Sequence, residues 1–211
     1  MSQYPGKFIV FEGGEGTGKT TQIAILAKKL REFAFLPYIT REPGGTDCPV
    51  AEKIRAILKD PENIIVPEAE LFLFLASRAQ HVKQCIVPHL EQSDIVISDR
   101  FYGSTFAYQH FGRGLFDLNE IKKINEFATG GLEPDLTVLL DIDPAKGLAR
   151  IAEKANDDRF DSENIEFHRK VRQGFLTLAK LRDHWAVIDA DADPKTVHKH
   201  IWAKVSDLLN I

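Results

Sequence analysis

A chain of 211 residues, 44% hydrophobic and 27% charged, has the make-up of a soluble globular protein and enough material for a large core. Its net charge of −4 argues against a general nucleic-acid or anionic-membrane surface, so any positive site has to be local. Two cysteines, Cys48 and Cys85, make neither a disulfide framework nor a metal-ligand cluster, which points to a reducing cytoplasm; residues 1–6 show no secretory pattern, and the most apolar run, 71–76, is too short to span a bilayer.

The chain begins with four apolar residues, 8–11, which predict a strand buried on both faces. Residues 13–20, Gly-Gly-Glu-Gly-Thr-Gly-Lys-Thr, then match G-x-x-x-x-G-K-[ST] at every fixed position. Ile23, Ile25, Leu26, Ala27 and Leu30 continue at helical spacing. Strand, glycine loop and helix in this order make a phosphate-binding loop. Glycines let successive N–H groups point into one concavity, and the helix start adds unpaired donors and a positive dipole end. Lys19 can reach the terminal phosphates, and the Thr20 hydroxyl is placed for Mg2+. The plainer alternative is a strand-to-helix turn that needs only flexible residues.

Further strands are predicted at 37–41, 94–99, 135–142 and 185–189, besides 7–12, with segments of helical period between them. This alternation gives an α/β class: a five-stranded parallel sheet covered on both faces, in a single domain spanning 1–211. Asp117 with Glu120 forms a capping box, and Asp143-Pro144 and Asp193-Pro194 mark two more helix starts. A long apolar helix from Pro67 is expected to kink or stop before Pro88. The polar stretch 153–164 offers little to bury and is the expected mobile loop.

Ligands of such sheets sit beyond the carboxyl ends of the strands. There the second strand delivers residues 41–46, Arg-Glu-Pro-Gly-Gly-Thr, and the third delivers Asp99 and Arg100. Asp99 suits a Mg2+-organising acid, or else a cap for the segment near Gly103. Arg100 suits a second phosphate through its bidentate fork, or else is a solvated arginine. Phe74 and Arg78, four apart, share a helix face that can stack and hydrogen-bond a base, although most such phenylalanines are core. Ser104, Thr105, Tyr108 and Gln109 follow at helical spacing. Arg150, Lys154 and Arg159 lie among acids, where they either close over phosphates or decorate a solvated helix end.

Together these blocks resemble bacterial thymidylate kinase, with 11–12 ahead of the loop, 40–46, 51–55, 99–101 with Ser104 and 107–109, 134–137, and 158–160 all in the family's order. The resemblance covers nearly the whole chain. It implies the three-layer α/β/α P-loop NTPase fold with a lid at about 150–164. It also implies transfer of the γ-phosphoryl of ATP to dTMP, giving dTDP for dTTP synthesis, with Mg2+, in a cytoplasmic homodimer without nucleic-acid or membrane partners. The implied roles follow the motifs. Gly13, Gly14, Glu15, Gly16, Thr17, Gly18, Lys19, Thr20 and Thr21, with Arg150 and Arg159, would hold ATP. Thr20 and Asp99 would serve the metal, and Lys19, Arg100, Asp99, Glu15 and Lys154 the transfer. Glu42, Pro43, Arg55, Phe74, Arg78, Arg100, Ser104, Thr105, Tyr108 and Gln109 would surround dTMP, with Phe74 stacking on thymine, Arg78 donating to a thymine carbonyl and Tyr108 crowding the 2′ position. One branch of the family has arginine at the position of Gly16. With glycine there, the positive charge is expected from Arg150, Lys154 or Arg159.

Two other readings compete. A deoxynucleoside kinase would have to deprotonate a hydroxyl and would need fewer arginines around the acceptor. A GTP-dependent switch would need an Asn-Lys-x-Asp stretch, which the sequence lacks.

Overall fold

The computed structural model describes residues 3–115, 117–152 and 163–211. In chain order the elements are β1 (Lys7–Glu12), α1 (Lys19–Glu32), β2 (Tyr38–Arg41), α2 (Pro49–Lys59), α3 (Pro67–His81), α4 (Val87–Glu91), β3 (Ile95–Asp99) and α5 (Tyr102–Thr105). There follow α6 (Leu118–Thr129), β4 (Leu136–Asp141), α7 (Pro144–Ile151), α8 (Ile165–Lys180), β5 (Trp185–Asp189) and α9 (Pro194–Leu209). The strands form one sheet in the order β2-β3-β1-β4-β5, and every neighbouring pair is parallel.

Period-2 alternation explains why the sheet is covered on both sides. Phe8 and Val10 of β1 face one core with Phe101, Phe106, Val171 and Phe175. Ile9 and Phe11 face the other, with Ile23, Leu26 and Leu30 of α1 and Val197, Ile201 and Val205 of α9. Phe8 and Phe11 are fully buried, and each such side chain contributes about 1.5–3 kcal/mol by leaving water.

Register decides what meets at the rim. Phe11 pairs with Asp99, and Asp99 with Arg41, so β1, β2 and β3 end level. The phosphate loop, the loop after β2 and the turn after β3 therefore leave the sheet side by side.

The five strands lie where the sequence predicts them, and the caps at Asp117, Asp143 and Asp193 are formed. The helix from Pro67 does not stop before Pro88. It continues past Pro88, through a π-helical turn at Val82–Ile86 and into α4. Proline lacks an N–H and its ring collides with the carbonyl four residues back. Here the Val87 N–H already bonds to the Val82 carbonyl, five residues back, so the widened turn shifts the ladder just where Pro88 would break it. A second π-helical stretch, Phe106–Gly112, follows α5 and carries Tyr108 and Gln109. Among the described residues no helix is long and apolar enough to cross a membrane.

Candidate active site

The loop between β1 and α1 is shaped by glycine. Gly16 and Gly18 have φ of 65° and 88°, the left-handed region where a side chain is strained. Gly16 also lies against Gly147 of α7: a Cβ at Gly16 would stand 1.9 Å from the Gly147 carbonyl oxygen, and one at Gly147 would stand 2.3 Å from the Glu15 carbonyl oxygen. This backbone contact is why no arginine fits at position 16. Lys19 folds back over the loop, donating to the Gly13 and Gly14 carbonyls at 3.1 and 2.8 Å and to Thr17 at 3.4 Å. Burial, and then the Arg100 charge, push its pKa below the usual lysine value. The Thr20 hydroxyl donates to Asp99 at 3.3 Å, which brings together the two oxygens expected to serve a metal.

Arg100 is held in an unusual backbone conformation, with φ of 74°. A non-glycine residue there costs about 1–3 kcal/mol and persists only when neighbours enforce it. Here they do: its N–H donates to the Phe11 carbonyl at 2.8 Å, and its carbonyl accepts from the Ser98 hydroxyl at 2.8 Å. The side chain then reaches the phosphate loop, donating to the Gly13 carbonyl at 3.0 Å, the Ser104 hydroxyl at 3.1 Å and Glu15 at 2.7 Å. The Tyr108 hydroxyl donates to the same Glu15 oxygen at 2.6 Å. Burial alone would raise the Glu15 pKa, but Arg100 and Lys19 beside it hold the carboxyl at about 2.

A second buried network lies behind the loop after β2. Arg78 pairs with Glu42 at 2.8 Å and donates to Thr105 at 2.7 Å, Asn125 at 2.6 Å and the Phe101 carbonyl at 3.1 Å. Burial opposes ionisation of Glu42, yet Arg78 and His81 outweigh it and lower its pKa. The Glu42–Pro43 peptide is cis, Arg55 donates to the Pro43 carbonyl at 2.7 Å, and the Gly44 N–H to Ser77 at 3.0 Å.

One cavity of about 560 Å³ joins these parts, within the range of small-ligand sites. Its wall includes Glu15, Gly16, Thr17, Gly18, Lys19, Thr20, Thr21 and Arg150, together with Glu42, Pro43, Arg55, Phe74, Ser104, Thr105, Tyr108, Gln109, Asp99 and Arg100. Most residues singled out in the sequence are thus brought to one place. Gly13 and Gly14 are not on this wall; they line a smaller cavity behind the loop and act through the carbonyls that hold Lys19. Arg78 is not on the wall either. It is 2% exposed, and four of its five N–H donors meet protein acceptors, because a buried guanidinium has to be neutralised and hydrogen-bonded. Gln109, on the wall, donates its amide to Glu70 at 3.0 Å. Lys154 and Arg159, and with them most of the lid assignment, lie outside the described residues. Arg150 donates to the Ala190 carbonyl at 3.0 Å.

Sequence reasoning missed Arg41, Leu58, Lys59, Ile151 and Pro194 on the wall. Arg41 carried a signal, since it ends a strand at the same rim as Asp99. The others come from helices whose inward faces no local pattern identifies.

A glycine loop against a parallel sheet, a paired threonine and aspartate, and an arginine pinned to that loop beside a nucleotide-sized cavity define a P-loop phosphotransferase. The thymidylate kinase family model matches residues 11–201. The chain is 50% identical over 192 residues to a thymidylate kinase of Carboxydothermus hydrogenoformans, covering 91% of this chain and 93% of that one. It is 45% identical over 207 residues to one from Halothermothrix orenii, covering 97% and 98%. A crystal structure of thymidylate kinase from Ehrlichia chaffeensis superposes with a TM-score of 0.77 at 35% identity, over 95% of this chain and 98% of that one. The chain belongs to the thymidylate kinase family.

Proposed function

We propose that the cavity takes ATP at the phosphate loop and dTMP beneath Arg100, and transfers the γ-phosphoryl group from the first to the second to give ADP and dTDP. The observation that carries this reading is the Arg100 guanidinium, seated on the Gly13 carbonyl and Glu15, so that an acceptor phosphate gripped by it stands next to the donor loop. The acceptor is already an anion, and no general base has to be found. Alignment and charge compensation are the work left to the protein.

Lys19 and the amides from Glu15 to Thr21 hold the donor phosphates, and Arg150, on the same wall, flanks the donor's base side with Pro194. Oxygen donors suit Mg2+, which takes few protein ligands and completes its shell from phosphates and water. Thr20 and Asp99 fit that requirement and would hold it, and the ion would neutralise charge on the transferred group. Phe74 offers a face for thymine, Thr105 lies at the base side, and Arg78, which donates to the Thr105 hydroxyl at 2.7 Å from behind the wall, is assigned to a thymine carbonyl. Glu42, Pro43 and Arg55 close the far end, and Tyr108, anchored on Glu15, crowds the sugar.

The enzyme works as a homodimer in the cytoplasm. Supporting the dimer, Phe72 of α3 and Phe127 of α6 are 60% and 92% exposed on neighbouring helices, a poor arrangement for a monomer in water. An ATPase-coupled assay with dTMP and thymidine in separate reactions tests the reading. Turnover of dTMP alone supports it, and turnover of thymidine alone assigns the site to a nucleoside kinase.

A further inference from the structure

Glu12 closes β1 and is fully buried, yet the reaction described above gives it nothing to do. Its two oxygens are used differently. Oε1 accepts the N–H groups of Phe101 and Ser104, both at 3.0 Å, which satisfies the start of α5. Oε2 accepts the Ser104 hydroxyl at 2.7 Å. Ser104 Oγ in turn accepts from Arg100 Nη1 at 3.1 Å. Gly103 packs directly against the carboxylate: a Cβ there would meet Oε1 at 2.8 Å and the Trp185 ring at 2.8 Å.

In its ionised form, which prevails above about pH 7, the Glu12 carboxylate only accepts hydrogen bonds. It therefore draws the Ser104 proton to itself and leaves the hydroxyl lone pairs facing Arg100. A group that donates at Oε2 would reverse this chain, forcing the Ser104 proton toward a guanidinium that also donates. From this directed chain we propose that Glu12 is a positioning residue for the acceptor phosphate, aiming the Arg100 guanidinium through the Ser104 hydroxyl. Capping α5 needs Oε1 alone. The contact from Oε2 is what a purely structural role leaves unexplained.

The proposal rests on Arg100 receiving the dTMP phosphate. Glu12→Gln separates the two roles, because the amide keeps one oxygen for the backbone N–H groups and places a donor against Ser104. Dissociation constants for dTMP by calorimetry without ATP, with KM for each substrate, are compared among wild type, Glu12→Gln, Ser104→Ala and the double variant. Expected are a roughly tenfold weaker dTMP dissociation constant in each single variant, an ATP KM within about twofold of wild type, and a double variant no weaker than Ser104→Ala by more than about twofold. An unchanged dTMP constant in Glu12→Gln, equal losses for both substrates, or losses that multiply in the double variant would each overturn the proposal. Should Glu12→Gln not fold, Ser104→Ala decides: unaltered dTMP binding there overturns it as well. A wild type that binds no dTMP overturns the reading of the site itself, and is told apart by that measurement alone.

Discussion

Glu15 Oε1 stands 2.7 Å from the Arg100 guanidinium and takes the Tyr108 hydroxyl proton at 2.6 Å, so one carboxylate oxygen ties the phosphate loop to two side chains of the acceptor side. The Arg100 guanidinium is thereby fixed against the loop, with its charge opposed by a carboxylate held ionised by Arg100 and Lys19. Arg100→Ala should lower kcat about 10²–10³-fold, the scale of losing one preorganised charge-stabilising group. Arg100→Lys should recover little of it, since a point charge does not replace the fork that meets Gly13, Ser104 and Glu15 together. Steady-state kinetics with dTMP as acceptor provide the check.

Base selection should be uneven. Losing the thymine methyl removes only about 1–3 kcal/mol, so dUMP should be a poorer but real substrate. Cytosine presents an amino group where thymine has a carbonyl, and facing the donor proposed on Arg78 it leaves buried polar groups unpaired, a much steeper penalty. Comparing kcat/KM for dTMP, dUMP and dCMP tests this order, and equal values for dTMP and dCMP would remove Arg78 from the base.

Arg78 also holds the fold around the site. Arg78→Ala leaves Glu42 buried beside His81 alone, and breaking a buried ion pair costs about 3–5 kcal/mol. At about 2–4 °C per kcal/mol for a chain of this size, Tm should fall by about 6–20 °C in a thermal melt. A fall of a degree or less would mean that the pair is not buried as described.

Burial pushes the Glu12 carboxyl up to about 7, even though Arg100 and the hydrogen bonds from Ser104 and Phe101 favour its ionised form. Between about pH 4.5 and 7 the folded chain keeps this proton and the unfolded chain loses it, so the stability it contributes is full below pH 4.5 and disappears as pH rises through 7. The loss amounts to about 3 kcal/mol. Glu12→Gln should abolish it. Urea denaturation of both proteins at pH 5 and pH 7.5 should show the wild type losing ground to the variant as pH rises; parallel behaviour would contradict a carboxyl raised by burial.

Gly16 and Gly147 should tolerate no side chain. Gly147→Ala drives a Cβ into the Glu15 carbonyl, and Gly16→Arg drives one into Gly147, so each should displace the phosphate loop and raise the ATP KM. The effect on dTMP binding without ATP should be smaller. Calorimetry with each nucleotide separately distinguishes the two.

Local patterns carried much of this protein. The glycine loop is contiguous, the strands are short apolar runs, and the caps at Asp117, Asp143 and Asp193 are formed with neighbours a few residues away, so each is written in adjacent residues. For the same reason the sequence could nominate Lys19, Thr20, Asp99 and Arg100, which flank strand ends, and its likeness to a known family supplied the nucleotide. That the helix runs on through Pro88 was not legible, because the π turn that absorbs the proline depends on where the helix packs.

The class of fold and the loop that grips phosphate were legible in the chain alone, since both follow from spacing along it. Tertiary structure alone decided that Arg78 stands behind the cavity wall, that Gly16 abuts Gly147, and that Glu12 reaches Ser104. Such contacts join residues far apart in the chain, Glu12 and Ser104 being 92 positions apart and Gly16 and Gly147 further still. Their partners are chosen by sheet register and by the need to satisfy buried charge, and neither is encoded in any single stretch.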